Sequence, residues 1–255
     1  MHPTAIVDPA AELAAEVDLG PYCIVGAGAR IGRGSRLDAH VVIQGDTHVG
    51  EGCRFFPFSS IGQPPQDLKF KGERTRLRIG RGNVFREFVT VHVGTAGGGG
   101  ETRIGDENFF MAYTHIAHDC RVGSHTVFAN AATLAGHVSV EDHATVGAFS
   151  GVHQFCRVGR HAFVGGYTVV TQDALPYVLT VGNRAAAYGI NVVGLKRKSF
   201  PPETIQALKR AYQALVRSRQ PHERVLQDLR QELERYPEVR HLAEFIQASE
   251  RGVVR

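Results

Sequence analysis

The strongest constraint on this chain is a six-residue period. An apolar residue returns at every sixth position from Val7 through Leu13, Leu19, Val25, Ile31, Leu37, Ile43, Val49 and Phe55 to Ile61. The period resumes at Ile79, Phe85 and Val91, and again from Ile104 in unbroken steps to Val170. A helix, at about 3.6 residues per turn, cannot hold that register, and neither can an alternating strand in a hairpin. A fixed hexad over this length predicts a solenoid, and specifically a parallel β-helix. Three hexads make one triangular coil, and successive coils stack roughly 4.8 Å apart.

Each hexad has its own chemistry. Two positions before the anchor the side chain is small or β-branched, as at Cys23, Ala29, Ser35, Thr102, Thr126, Ala132, Ala144 and Ala162. Residues two apart on a strand share a face, so both point inward. The position after the anchor is often glycine, as at Gly20, Gly32, Gly50, Gly105, Gly123 and Gly147. Glycine there is expected to take the unusual dihedrals of a tight corner. All four cysteines, Cys23, Cys53, Cys120 and Cys156, fall at the inward position and no CxxC pair occurs. They read as buried small hydrophobes, not as disulfide partners or metal ligands.

Two interruptions break the period. Residues 63–76 hold two prolines and six charges, which a coil interior cannot take, so they are expected to loop out. Residues 94–101 carry Gly97 to Gly100 and read as a flexible excursion. Loops leaving a rigid repeat are where function concentrates. The period fades after Val170. From Pro202 the apolar spacing becomes helical, in three segments around Ile205–Val216, Val225–Leu233 and Pro237–Ile246. The expected division is a β-helix over 1–200 and a helical domain over 201–255 that covers the last open strand edges.

The frame also places the histidines. Val91, Ile116, Leu134 and Val152 fall on one side of the prism, so His92, His115, His118, His137 and His153 line that side on four successive coils. They are expected to face outward, with His118 and His137 about 5 Å apart along the axis. His143 and His161 fall on a different side and read as surface. Three readings fit the cluster of five. One is a solvated surface. Another is a zinc site like that between subunits of hexapeptide-repeat carbonic anhydrases. The third is general-base catalysis by His118 with Asp119 orienting the ring, provided the corner lets adjacent side chains converge. The net charge of +4 suits an acidic partner or a phosphorylated ligand. No basic, aromatic-rich motif points to nucleic acid, and no apolar run is long enough for membrane insertion. The first residues lack the regions of a signal peptide, so the cytoplasm is expected.

Five segments carry a family resemblance. His115-Ile116-Ala117-His118-Asp119-Cys120, Ala132 to Val138 and Val152 to Cys156 resemble signature segments of the acyl-carrier-protein-dependent UDP-N-acetylglucosamine 3-O-acyltransferases of lipid A synthesis. Gln66-Asp67-Leu68-Lys69 is similar to that family's loop motif, and Gly189 to Arg197 to its nucleotide-binding segment. The resemblance covers essentially the whole chain. It implies a left-handed β-helix, a homotrimer with sites between subunits, and no metal or other cofactor. It implies a (R)-3-hydroxyacyl carrier protein as donor and UDP-N-acetylglucosamine as acceptor.

Residue roles follow by the same route. His118 would be the base, Asp119 its support, and the Gly136 amide the oxyanion donor. His92, His115, His137, His153, Gln66, Asp67, Lys69 and Gln154 would bind substrate, while Asn191 and Arg197 would meet the nucleotide. Phe163 and Gly166 fall where the family sets acyl-chain length; Gly166 alternatively reads as a plain turn glycine. Lys196 to Lys198, Lys209 and Arg210 could receive an acidic carrier protein. Val193 and Lys198 stand where the family commonly has glutamate and arginine, which weakens nucleotide contacts there. The rivals are the zinc-dependent hydratase, an inactive solenoid, and the pathway's related N-acyltransferase. That last relative has an additional N-terminal domain, whereas this chain begins directly in the repeat.

Overall fold

The computed structural model describes residues 1–218 and 222–255. The hexads form strands of mostly two residues, gathered into three parallel sheets of nine, eight and ten strands. Strands pair one coil apart, with Ile6 beside Ile24 and Val7 beside Val25. The first sheet runs from Ile6–Val7 to Val169–Val170, the second from Glu12–Leu13 to Arg157–Val158. The third begins at Asp18–Leu19 and ends with Val178–Val181 and Ala186–Ile190, the one antiparallel pair. Anchors and inward small residues fill the prism. Phe55, Phe85, Phe110 and Phe128 stack down its centre at 4.8, 4.7 and 5.1 Å. The cysteines are all free and buried, as their frame position predicts. Desolvation pushes the thiols of Cys53 and Cys156 up to about 11 and that of Cys120 to about 12.

The expected reason for the glycines is wrong. Left-handed dihedrals sit three positions after the anchor, where Tyr22, His40, Asp119, His137 and Phe155 all have φ between 57° and 64°. The glycine directly after the anchor has an ordinary φ except at Gly62, where it is 78°; what it supplies is clearance. A Cβ on Gly32 would lie 2.5 Å from the backbone of Gly50, and one on Gly50 would lie 2.6 Å from that of Gly80. Successive coils touch at this point, and only a missing side chain lets them close to strand spacing.

Both interruptions leave from the same place, the corner between the first and second sheets. One follows Ser60–Gln63 and returns at Arg76–Ile79; the other follows Thr90–His92 and returns at Glu101–Ile104. Gln63, Arg76 and Glu101, at ends of the expected loops, are thus already strand. The second excursion is also not a loose one. Thr95 caps a short 3-10 turn over Ala96–Gly98.

The segment after Val170, left without period in the sequence, contains the antiparallel pair and helix α1 (Val192–Arg197). The three expected helical segments become α2 (Pro202–Tyr212) with a π-turn extension, α3 (His222–Asp228) with α4 (Arg230–Arg235), and α5 (Pro237–Gln247). Helix α2 starts on proline with Glu203 in its first turn and ends with Lys209 and Arg210, matching the helix dipole. Its apolar stripe packs into a second core with Val239, Leu242 and Phe245. That core also takes in Leu175, Tyr177, Val178, Ala187 and Leu195, so the helices are seated on the end of the prism.

Candidate active site

The corner from which both excursions leave also carries the histidines. Its key residue is Asp119, third after the anchor Ile116. With φ at 60°, the left-handed backbone turns this carboxylate back toward its neighbour, and Oδ2 lies 2.8 Å from His118 Nδ1. Adjacent side chains on a regular strand would diverge; the corner makes them converge. Thr95 from the second excursion donates its backbone N–H to Asp119 Oδ1 at 2.8 Å and its hydroxyl to Oδ2 at 2.6 Å. The Asp119 N–H donates to Thr102 Oγ1 at 2.8 Å. The Asp119 side chain has no solvent exposure, against 15% for His118. A fully buried carboxylate held by three donors is fixed in place. Gly98 closes over it: a Cβ there would sit 2.0 Å from Asp119 Cγ.

With Nδ1–H donated to Asp119, His118 keeps Nε2 as a free base. Gly136 packs against that edge of the ring, where a Cβ would come within 2.5 Å of Cε1 and 2.7 Å of Nε2. Side chains are excluded at this position, and the Gly136 amide has no acceptor among the described residues. His137, in the same left-handed corner position as Asp119, meets His118 edge to face at 5.2 Å and stacks on Phe155 at 4.5 Å. Its Nε2 is 3.8 Å from Asp119 Oδ2.

His92, one coil earlier, meets His115 edge to face at 4.9 Å, and His115 Nδ1 lies 2.7 Å from Thr90 Oγ1. The expectation that all five histidines face outward fails at His92. It is buried, and its Nδ1 has no hydrogen-bond partner. Burial, then the neighbouring His115 and His118, push it down to about 4. Burial, then His118, lower His115 in the same direction. Both rings are therefore neutral hydrogen-bonding groups near pH 7. His153 is exposed on the following coil with Nδ1 3.2 Å from the Gln154 carbonyl, and Gln154 is exposed beside it.

The remaining expected residues stand apart within one chain. Gln66, Asp67 and Lys69 lie on the first excursion, where Asp67 Oδ1 accepts from the Lys69 N–H at 3.0 Å. No hydrogen bond or ion pair joins them to the histidines among the described residues. Asn191 caps α1 through Gly194 and donates to the His161 carbonyl at 3.2 Å; Arg197 is exposed in the last turn of that helix. Phe163 and Gly166 are exposed on the third sheet and its following corner. Gly166 has an ordinary φ, while Tyr167 carries the left-handed one, so the turn does not require this glycine. A Cβ at Gly166 would press on the Ala148 carbonyl at 3.3 Å.

Thr95, Gly98, Thr102 and Phe155 were not singled out from the sequence. A signal existed only for two of them: Thr102 sits at an inward hexad position, and Gly98 belongs to the glycine run. His118, Asp119 and His137 bring ligand atoms within 4.8 Å of one another and could hold a metal ion. Asp119, however, already commits both oxygens to Thr95 and His118.

A parallel β-helix with a histidine–carboxylate pair on its corner is a hexapeptide-repeat acyltransferase scaffold. The comparisons name the particular branch. A family model described as UDP N-acetylglucosamine O-acyltransferase, domain 2, matches residues 173–254. The acyl-[acyl-carrier-protein]–UDP-N-acetylglucosamine O-acyltransferase of Thermodesulfovibrio yellowstonii is 50% identical over 255 residues, 100% of this chain and 99% of that protein. The protein of the same name from a Janthinobacterium species is 49% identical over 259 residues, with the same coverage. The solved UDP-N-acetylglucosamine O-acyltransferase of Moraxella catarrhalis superposes with a TM-score of 0.96 at 43% identity, over 100% of this chain and 99% of that one. The chain belongs to the acyl-carrier-protein-dependent UDP-N-acetylglucosamine O-acyltransferase family. Its fold is the left-handed β-helix that the resemblance implied.

Proposed function

We propose that this protein transfers a (R)-3-hydroxyacyl group from acyl carrier protein to the 3-hydroxyl of UDP-N-acetylglucosamine, in lipid A biosynthesis. The observation that carries the chemistry is the Asp119–His118 pair with its free Nε2 against Gly136. His118 takes the proton from the sugar hydroxyl as the oxygen attacks the thioester carbonyl. Charge builds on the carbonyl oxygen, where the Gly136 amide donates. Asp119 stabilises the imidazolium formed at that moment. The tetrahedral species collapses with loss of the thiolate, which His118 reprotonates. Neutral His92 and His115, with His137, His153 and Gln154, supply polar contacts along the corner.

A second subunit meeting the corner would add Gln66, Asp67, Lys69, Asn191 and Arg197 to it, since none of them hydrogen-bonds to the corner's histidines within one chain among the described residues. That favours a homotrimer with shared sites. So does the exposed aromatic ladder Tyr22–His40–Phe58–Phe88–Tyr113, stacked at 4.8 to 5.1 Å on the corner before the first sheet. Gly166 and Phe163 would then face the acyl chain, with a long chain admitted. Four free, buried cysteines suit a reducing cytoplasm. No helix among the described residues is long and apolar enough to cross a membrane. End-to-end relatives named as O-acyltransferases favour a hydroxyl acceptor over the N-acylation rival.

The test is turnover of UDP-N-acetylglucosamine with a panel of 3-hydroxyacyl carrier proteins. A 3-O-acyl product is expected. Absence of transfer from every donor, or stoichiometric zinc with hydratase activity, sinks the proposal.

A further inference from the structure

The second sheet carries a charge pattern that the reaction does not use. One position before each anchor the side chain points outward. Down this sheet those residues are Glu12, Arg30, His48, Arg78, Arg103, Arg121, Ser139 and Arg157, each directly beside the next across the strands. The same position on the first sheet bears no carboxylate, lysine or arginine from Ile6 to Val169. On the third sheet Arg36 and Arg54 share Asp38, at 2.8 and 3.6 Å. Like charges directly opposite on neighbouring strands repel.

The early members of the column are neutralised locally. Arg30 pairs with Glu12 at 3.2 Å, His48 with Asp46 at 3.0 Å and Arg78 with Glu101 at 2.9 Å. Arg157 lies 3.8 Å over the Phe245 ring and donates to the Ala248 carbonyl. Arg103 and Arg121 are exposed, and no carboxylate among the described residues pairs with either. Glu101, next but one to Arg103 on its strand, is taken by Arg78 and Arg76.

We propose that Arg103 and Arg121 dock the acidic protein that carries the acyl thioester, on the second face of the prism. The inference rests on the acyl-transfer reading above. Arg121 follows Asp119 by two residues, and Arg103 is one strand away, so a carrier seated there presents its thioester arm to the corner of His118. The site is narrow. Asp106, Glu107 and Asp142 on the next corner are each about half exposed, and each already has a partner, Arg81 at 3.7 Å, His125 at 3.4 Å and Arg160 at 3.5 Å. With the charges of that corner already matched, the unmatched positive charge is the single pair Arg103 and Arg121, which fits one acidic helix edge better than a broad polyanion such as a lipid surface or a nucleic-acid backbone. The helical cap offers less than its sequence suggested, because Arg210 is already paired with Glu232 at 3.2 Å.

The experiment is the double variant Arg103→Gln/Arg121→Gln, assayed with a 3-hydroxyacyl carrier protein and separately with the 3-hydroxyacyl pantetheine thioester. The KM for the carrier should rise about tenfold and lose much of its salt dependence. The KM for UDP-N-acetylglucosamine and the pantetheine rate should stay at wild-type values. Arg103→Lys/Arg121→Lys should recover most of the carrier affinity, which separates charge from folding. Arg36→Gln/Arg54→Gln, on the third face, should change nothing. An unchanged carrier KM overturns the proposal, as does an equal loss with the pantetheine thioester. So does lost binding to phosphatidylglycerol vesicles or an oligonucleotide at unchanged carrier KM. Failure of the wild-type protein to transfer from either donor overturns the acyl-transfer reading instead.

Discussion

All three corners of this prism carry histidine in the same left-handed position, and two of them behave differently. At the corner between the second and third sheets, His125, His143 and His161 stack in parallel at 4.9 and 4.7 Å, with rings 6° and 9° apart. The ladder continues onto Tyr177. It was expected to be plain surface; instead His143 and His161 are partly buried, and His143 Nδ1 has no partner. Burial first, then the charges of His143, Arg160 and Lys198, push His161 down to about 4. At the catalytic corner the corresponding ladder reads Asp119, His137, Phe155, and the extra histidine, His118, sits one residue earlier. A buried carboxylate within the ladder turns His118 perpendicular to His137, at 90°. Repetition of one ring type gives stacking. Insertion of an acid gives an oriented base.

The contrast can be broken by mutation, and the largest effect is expected at the base. His118→Ala should lower kcat by about three orders of magnitude, while His143→Ala should leave it close to wild type. Comparable losses in the two variants would erase the distinction between the corners. A smaller effect is expected from the clamp on Asp119. Thr95→Val removes one donor to the buried carboxylate and should cost roughly tenfold in kcat. It should also shift the pH profile of kcat, and Thr95→Ser should restore both. A uniform loss without a pH shift, unrelieved by serine, would leave Thr95 a structural residue only.

The smallest effect is on stability. His92 and His161 titrate near 4 in the folded protein and near 6.5 when unfolded. Below pH 6.5 the unfolded chain binds protons that the folded one does not, so stability falls as pH drops from about 6.5 toward 4. The Tm should be lower at pH 5 than at pH 7. His161→Phe keeps a ring in the stack and removes one titration, so it should lose less. An equal drop in both proteins would show that the ladder contributes nothing to the acid sensitivity.

Much of this was legible because the hexad is a local rule. The anchors, the buried cysteines and the closeness of His118 to His137 follow from counting along one strand and adding one coil. The misreadings share a cause. The glycine after the anchor was assigned a dihedral role, yet its partner is the backbone of the next coil. His92, just ahead of the second excursion, was placed outward by its position after Val91, but it is buried, with His115 of the neighbouring coil edge-on to its ring. The same excursion was read as loose from its four glycines. Gly98 instead provides clearance for Asp119, and Thr95 holds the carboxylate.

The sequence by itself determined the solenoid, its phase and the side on which the histidines gather, because alternation along a strand and a fixed coil length are properties of neighbouring residues. Only the tertiary structure decided that Asp119 turns back onto His118, that Thr95 and Gly98 close over it, and that Arg103 and Arg121 have no carboxylate partner among the described residues. Those outcomes depend on the sign of φ at a corner and on contacts across coils and loops, where residues distant in sequence compete for the same hydrogen-bond and charge partners.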